Sequence, residues 1–129
     1  MLAIDTNVIV RYLTEDHLQQ ARKAKALIDS EHVFVSTTVL LETEWVLRSV
    51  YGFTSIEVAK ALGAFAGLPN VNLEDAATVA KALDWTAREM DFADAIHLAK
   101  AQECEAFVSF DRRLARAVKK FANIEVRAL

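Results

Sequence analysis

The sequence predicts an α/β fold built on a parallel sheet, and three observations carry that prediction. Short runs rich in β-branched and aromatic residues alternate along the chain with longer segments whose apolar residues recur at helical spacing. Asp, Ser or Thr, the residues that cap helices, stand where short runs give way to long ones. Three glycines and one proline in 129 residues leave no linker, repeat or low-complexity tract, so one domain around one core is expected. Strands alternating with helices form a doubly wound parallel sheet with right-handed crossovers.

The elements follow in order. Leu2 to Asp5 reads as a short strand, and Thr6 starts a helix running to Tyr12 or Leu13. A second helix, about Asp16 to Asp29, carries Leu18, Ala21, Ala24, Lys25 and Ile28 near helical spacing. Val33 to Ser36 is a second strand. Thr37 or Thr38 caps the helix that follows to about Tyr51, and Gly52 stands where a left-handed helix stop is expected. Ser55 opens the next helix by a serine cap alone, because the glutamate of Ser-Ile-Glu-Val comes too early for a capping box. That helix ends near Gly67, and Pro69 blocks its continuation. Val71 to Leu73 is a third strand, Asp75 to about Ala87 an alanine-rich helix, and Phe92 to Gln102 another helix. Ala106 to Ser109 is a strand, Arg112 to Lys120 a helix, and Ile124 to Val126 an edge strand.

Composition narrows the function. The 53% apolar content is ample for a core. A single cysteine, Cys104, excludes an internal disulfide framework and a cysteine-based zinc site, and suits a reducing cytoplasm. It is expected to be a small buried hydrophobe. The N-terminal stretch MLAIDTNVIVRYLTED has neither a basic leader nor a cleavage site, and no apolar run approaches the roughly 20 residues that span a bilayer, so no membrane partner is expected. The net charge of −3 argues on its face against a nucleic-acid partner, but setting four metal-bound carboxylates aside leaves +1. The chain after Phe107 is basic, with Arg112, Arg113, Arg116, Lys119, Lys120 and Arg127 against Asp111 and Glu125. Such a face suits phosphate contacts, and equally suits an ordinary solvated helix.

Four carboxylates fall where sites form in open α/β sheets, beyond the carboxyl ends of the strands. Asp5 ends the first strand and Asp111 follows the fourth, each just before a helix, where either also serves as an N-cap worth about 1 kcal/mol. Glu42 falls beside Val39 and Val46 on its helix, bordering an apolar stripe, a costly place unless it is paired, holds a cation or reaches out to solvent. Glu44 is placed on the far side, paired with Arg48 at i,i+4 in a surface role. In Asp-Phe-Ala-Asp-Ala, Asp91 is read as the capping residue and Asp94 as the inward one, with no Lys or Arg three or four residues from it. Clustered carboxylates repel one another and raise each other's pKa, and a divalent cation removes that conflict. Hard oxygen donors without Cys or paired His select Mg²⁺ or Mn²⁺, and such a site suits phosphodiester cleavage.

The ordered set of Asp-Thr-Asn at Asp5 to Asn7, Val-Leu-Leu-Glu-Thr-Glu-Trp-Val-Leu-Arg at Val39 to Arg48, Asp-Phe-Ala-Asp-Ala at Asp91 to Ala95 and Ser-Phe-Asp at Ser109 to Asp111 resembles a PIN domain over essentially the whole chain. More narrowly it is similar to the VapC-type toxins of bacterial type II toxin–antitoxin pairs. The resemblance implies a three-layer α/β/α fold with a central parallel sheet and RNA cleavage dependent on Mg²⁺ or Mn²⁺. It also implies a homodimer and inhibition by a small antitoxin whose C-terminal segment covers the active site. By the same resemblance Asp5, Glu42 and Asp94 match the main acidic triad and Asp111 the fourth, more variable acid. Asn7 matches the residue that supports the first aspartate, Asp91 a common neighbour, and Ser109 a hydroxyl near the metal or phosphate.

Other residues draw plainer readings. His97 is taken as a hydrogen-bonded support residue, and His17 and His32 need no special role. Trp45, Trp85, Phe65 and Phe107 are assigned to the core or a dimer contact. The helix pair from Thr38 to Gly67 carries more apolar residues than one sheet face needs, so part of it, at Val58, Leu62 or Phe65, is expected to line a dimer or antitoxin groove. Three other functions compete: a housekeeping nuclease without an antitoxin, a phosphoryl-transfer enzyme with Asp5 as nucleophile, and a non-enzymatic receiver or binding module. The second wants an aspartate two residues on, where Asn7 stands, and the third wants a lysine on the late strand, which has none.

Overall fold

A computed structural model of the chain describes residues 1–120 and 123–129. Its elements are β1 (Leu2–Ala3), α1 (Thr6–Thr14), α2 (Leu18–Ser30), β2 (Val33–Val35), α3 (Thr37–Ser49), α4 (Ser55–Ala66), β3 (Val71–Leu73), α5 (Ala76–Ala87), α6 (Phe92–Lys100), β4 (Phe107–Ser109), α7 (Arg112–Val118) and β5 (Val126–Ala128). Among the described residues all strand pairing is parallel, as the alternation of strand and helix predicts. β1 pairs with β2, setting Leu2 opposite Val33, and β2 with β3, setting Val35 opposite Leu73. β4 and β5 form a second pair, with Phe107 opposite Val126 and Ser109 opposite Ala128. Strands of two or three residues supply few ladder bonds, so the helices and their shared core hold the two strand groups. That core joins Ile4, Val33, Val35 and Val71 of the first group to Leu114, Val118 and Ile124 beside the second, through Phe65, Phe92 and Leu98 of the helices.

Parallel strands bring their carboxyl ends to one edge of each group, and the ends of β1 to β4 each feed a helix cap. Asp5 caps α1, Ser36 caps α3, Asp75 caps α5 and Asp111 caps α7. Gly52 takes φ +71°, the left-handed conformation expected after α3.

Several expectations are corrected. α3 is capped by Ser36, one residue earlier than Thr37. α4 is capped by Thr54, whose hydroxyl accepts from the Glu57 amide while Glu57 accepts from the Thr54 amide, so the capping box denied to Ser55 exists one residue upstream. His17, given no role, caps α2 through Nδ1, which accepts from the Gln20 amide at 3.2 Å. The last strand lies at Val126–Ala128, because Ile124 is taken into the core. Cys104 is exposed, not buried. Val58, Leu62 and Phe65 are fully buried in the core rather than open to a partner; the apolar residues that this helix pair does expose include Trp45, Val50 and Ile56.

The largest correction concerns α3. Its buried face holds Thr37, Leu40, Thr43, Glu44 and Leu47. Glu44 is only 4% exposed, and Glu42 is the exposed one. The Glu44–Arg48 ion pair forms at 2.8 Å, but its carboxylate end is inside. Val39, Leu40, Leu41, Trp45, Val46 and Leu47 leave α3 apolar around most of its circumference. Periodicity therefore does not decide which stripe turns inward, and the packing against α1, α4 and α6 does.

Candidate active site

The site is built at three strand-to-helix junctions and on one helix face. The β1 ladder runs on through Ile4, whose amide donates to the Phe34 carbonyl at 3.1 Å, and the chain turns at Asp5. The Asp5 carboxylate accepts from the Val8 amide at 3.3 Å. The next residue, Thr6, is buried, and its hydroxyl donates to the Glu42 carboxylate. This bond ties the start of α1 to the exposed acid of α3. The start of α3 is itself pinned twice, by Ser36 Oγ accepting from the Val39 amide at 3.2 Å and by Glu74 Oε1 accepting from the Thr37 amide at 2.8 Å.

A second group forms around α6. Asp91 caps it, accepting from the Asp94 amide at 3.1 Å, which is the division of labour the sequence suggests for this pair. Asp94 is half-buried, and its carboxyl is pushed above the ordinary aspartate range. Burial is the main cause, the negative charges of Asp91 and Asp111 add to it, and His97 opposes it. Asp111 thus lies within electrostatic reach of Asp94, although 17 positions of chain separate them. Its own carboxylate accepts from the Arg113 and Leu114 amides at 2.9 and 3.2 Å, while its amide donates to Ser109 Oγ at 3.0 Å.

The structure therefore brings Glu42 to the Asp5–Thr6 junction and Asp91 to Asp94, and it sets Asp111 within electrostatic reach of Asp94. α3, which carries Glu42, packs against both α1 and α6 and is shared by the two groups. It does not draw all four acids into one cage: among the described residues no three His, Cys, Asp or Glu side chains are grouped so that they could hold a metal ion. Asp5 and Asp111 are turned onto helix caps, Glu42 onto a hydroxyl. Releasing a cap bond costs about 1 kcal/mol, which the attraction of a hard divalent cation for several carboxylates readily exceeds. The donor set suits such a cation, and the Asp94 carboxyl, raised mainly by burial, also feels the negative charges of Asp91 and Asp111. Asn7 makes no hydrogen bond to Asp5 among the described residues; it lines a groove of about 340 Å³ between α1 and α2, with Arg11, Gln20 and Lys23.

Sequence reasoning passed over Thr6 and Glu74. Thr6 lay in the motif but between two residues that drew the attention, and only the fold shows its hydroxyl reaching Glu42. Glu74 follows β3 and is legible only once β3 is known to lie beside β2. In comparison with known proteins, the PIN domain family matches residues 2–120. No curated protein matches the chain.

Proposed function

Because the chain belongs to the PIN-domain family, whose members are in general nucleases that use divalent metal ions, we propose that it is an Mg²⁺- or Mn²⁺-dependent endoribonuclease with Asp5, Glu42, Asp94 and Asp111 as its carboxylate set. The observation that carries this reading is the conjunction at the strand ends: Thr6 bonded to Glu42 beside Asp5, and Asp94 in the field of Asp91 and Asp111. A bound cation supplies phosphate polarisation, a nucleophile at neutral pH and charge compensation on the leaving oxygen. The protein's own part is positional. Thr6 holds the Glu42 carboxylate at the start of α1. Asp91 fixes the first turn of α6, from which Asp94 projects. Ser109 and Asp111 close the β4–α7 turn, and the Ser109 hydroxyl keeps its proton free to donate.

The succession of motifs supports the narrower reading of a toxin whose partner is a small antitoxin, acting in the cytoplasm as a homodimer. Exposed Trp45, Val50 and Ile56 are the apolar residues available for a protein contact on α3, just after it and at the start of α4. No helix among the described residues is long and apolar enough to cross a membrane. The test is incubation of structured and unstructured RNAs with Mg²⁺, Mn²⁺ or chelator. Cleavage with either ion, abolished by chelator, is the expected result; a folded protein that cleaves no RNA with either ion contradicts the proposal.

A further inference from the structure

Phe110 is the most exposed large apolar side chain described, at 79%. It stands at the apex of a tight turn, because the Asp111 amide donates back to Ser109 Oγ across it. That turn directs the ring away from the core while its two neighbours are held, and Asp111 in turn caps α7. Val108, two residues earlier, is also open. A lone exposed apolar residue needs no explanation; the charge on the adjoining helix makes Phe110 unusual.

α7 buries Leu114 and Val118 and exposes Arg112, Arg113 and Arg116. Arg116 lies three and four positions from the other two, so the three share one surface. None of them has an ion-pair or hydrogen-bond partner for its guanidinium among the described residues. By contrast Arg11, Arg48 and Arg127 are each neutralised by a carboxylate. An aromatic ring and three unneutralised guanidinium groups therefore flank Asp111, which shares the field of Asp94. Stacking on an aromatic face with phosphate contacts alongside is how single-stranded nucleic acid is held, whereas a duplex keeps its bases stacked out of reach.

We propose that Phe110 and the arginine face of α7 form a single-strand RNA-binding element at the edge of the active site, Phe110 stacking on an unpaired base and Arg112, Arg113 and Arg116 taking the adjacent phosphates. The proposal rests on the ribonuclease reading above and adds the side from which the strand enters and its unpaired state.

The test combines binding of a fluorescent single-stranded RNA in EDTA with its cleavage in Mn²⁺, for the wild type, Phe110→Ala, Phe110→Trp and the triple variant Arg112→Gln/Arg113→Gln/Arg116→Gln. Phe110 is exposed, so its replacement leaves the fold intact, which circular dichroism checks. Phe110→Ala is expected to weaken single-strand affinity, or raise KM where affinity is read through cleavage, by about 5- to 100-fold. Phe110→Trp retains affinity, and neither changes binding of a blunt RNA duplex. The triple variant flattens the salt dependence, by about 0.7 in the slope of log K on log salt for each phosphate it no longer neutralises. Wild-type cleavage of single-stranded RNA with unchanged affinity and KM in Phe110→Ala overturns the proposal and leaves the ribonuclease reading standing. Failure of the wild type to bind or cleave any RNA overturns both. Loss of a dimer in Phe110→Ala, with RNA affinity unchanged, assigns the ring to a protein contact and also overturns the proposal.

Discussion

Replacing Thr6 by valine removes one oxygen from the junction that joins β1, α1 and α3, and its consequences can be worked through. The hydroxyl is buried and donates to Glu42, whose carboxylate is otherwise exposed. Valine has nearly the same shape, so the core is not opened. A hydrogen bond to a charged acceptor contributes about 1.5–3 kcal/mol. Glu42 can recover solvation from water, so the stability loss should fall near 1 kcal/mol, a drop of about 4 °C in Tm for a chain of this size. The effect on cation binding should be larger in proportion. A partner that orients a metal-ligating side chain is typically worth 10- to 100-fold in affinity. Thermal melts in chelator and calorimetric titration with Mn²⁺ separate the two effects. Thr6→Ser, which keeps the hydroxyl, should restore most of the affinity. If Thr6→Val binds Mn²⁺ as tightly as wild type while Glu42→Gln does not, the hydrogen bond does not position Glu42. If Glu42→Gln also binds normally, Glu42 is not a ligand.

The same geometry sets other outcomes. Mn²⁺ at a hundred times its dissociation constant should stabilise the fold by about 2.7 kcal/mol, seen as a rise in Tm that chelator reverses. The raised Asp94 carboxyl gives a pH signature in chelator. A carboxyl whose folded pKa is raised contributes stability that is full below the ordinary value of 3.8 and is lost as pH rises through the raised one. At neutral pH, therefore, Asp94→Asn should be more stable than wild type without metal, and the advantage should shrink on acidification; urea melts at pH 7 and pH 4 read the difference. Arg48→Ala strands the buried Glu44 carboxylate. It should cost about 2 kcal/mol by urea denaturation, less than the 3–5 kcal/mol of a fully buried pair because the Arg48 end is open to water.

The parts of this molecule legible in the sequence are those decided locally. Asp5, Asp91 and Asp111 sit at helix starts because a short carboxylate satisfies free amides there, and that rule needs no knowledge of the fold. The strands at Val33, Val71 and Phe107 are marked by β-branched and aromatic residues flanked by breakers and caps. Features that depend on packing were not legible. α3 is apolar on too many sides for its sequence to say that Glu44 rather than Glu42 turns inward. The Thr6–Glu42 bond spans 36 positions, and the Thr37–Glu74 bond 37, so both exist only after α1, α3 and the β2–β3 ladder are assembled. Phe110 shows the same limit from the other side: nothing in Ser-Phe-Asp says that the Ser109–Asp111 turn presents the ring to solvent. The candidate acids and the Asp91 cap were thus nameable from their chemistry, while Thr6 and Glu74, which reach across the fold, were not.

The central claim is that these acids hold a divalent cation that cleaves RNA, and cleavage of an end-labelled RNA across a Mn²⁺ titration tests it most directly, with the wild type, Asp5→Asn and Asp94→Asn compared at equal folded concentration. Metal-dependent internal cleavage by the wild type is the predicted result, with a loss of at least about 100-fold in both variants, whose melting curves show them folded. Equal cleavage by wild type and Asp94→Asn, or cleavage undiminished by chelator, contradicts it.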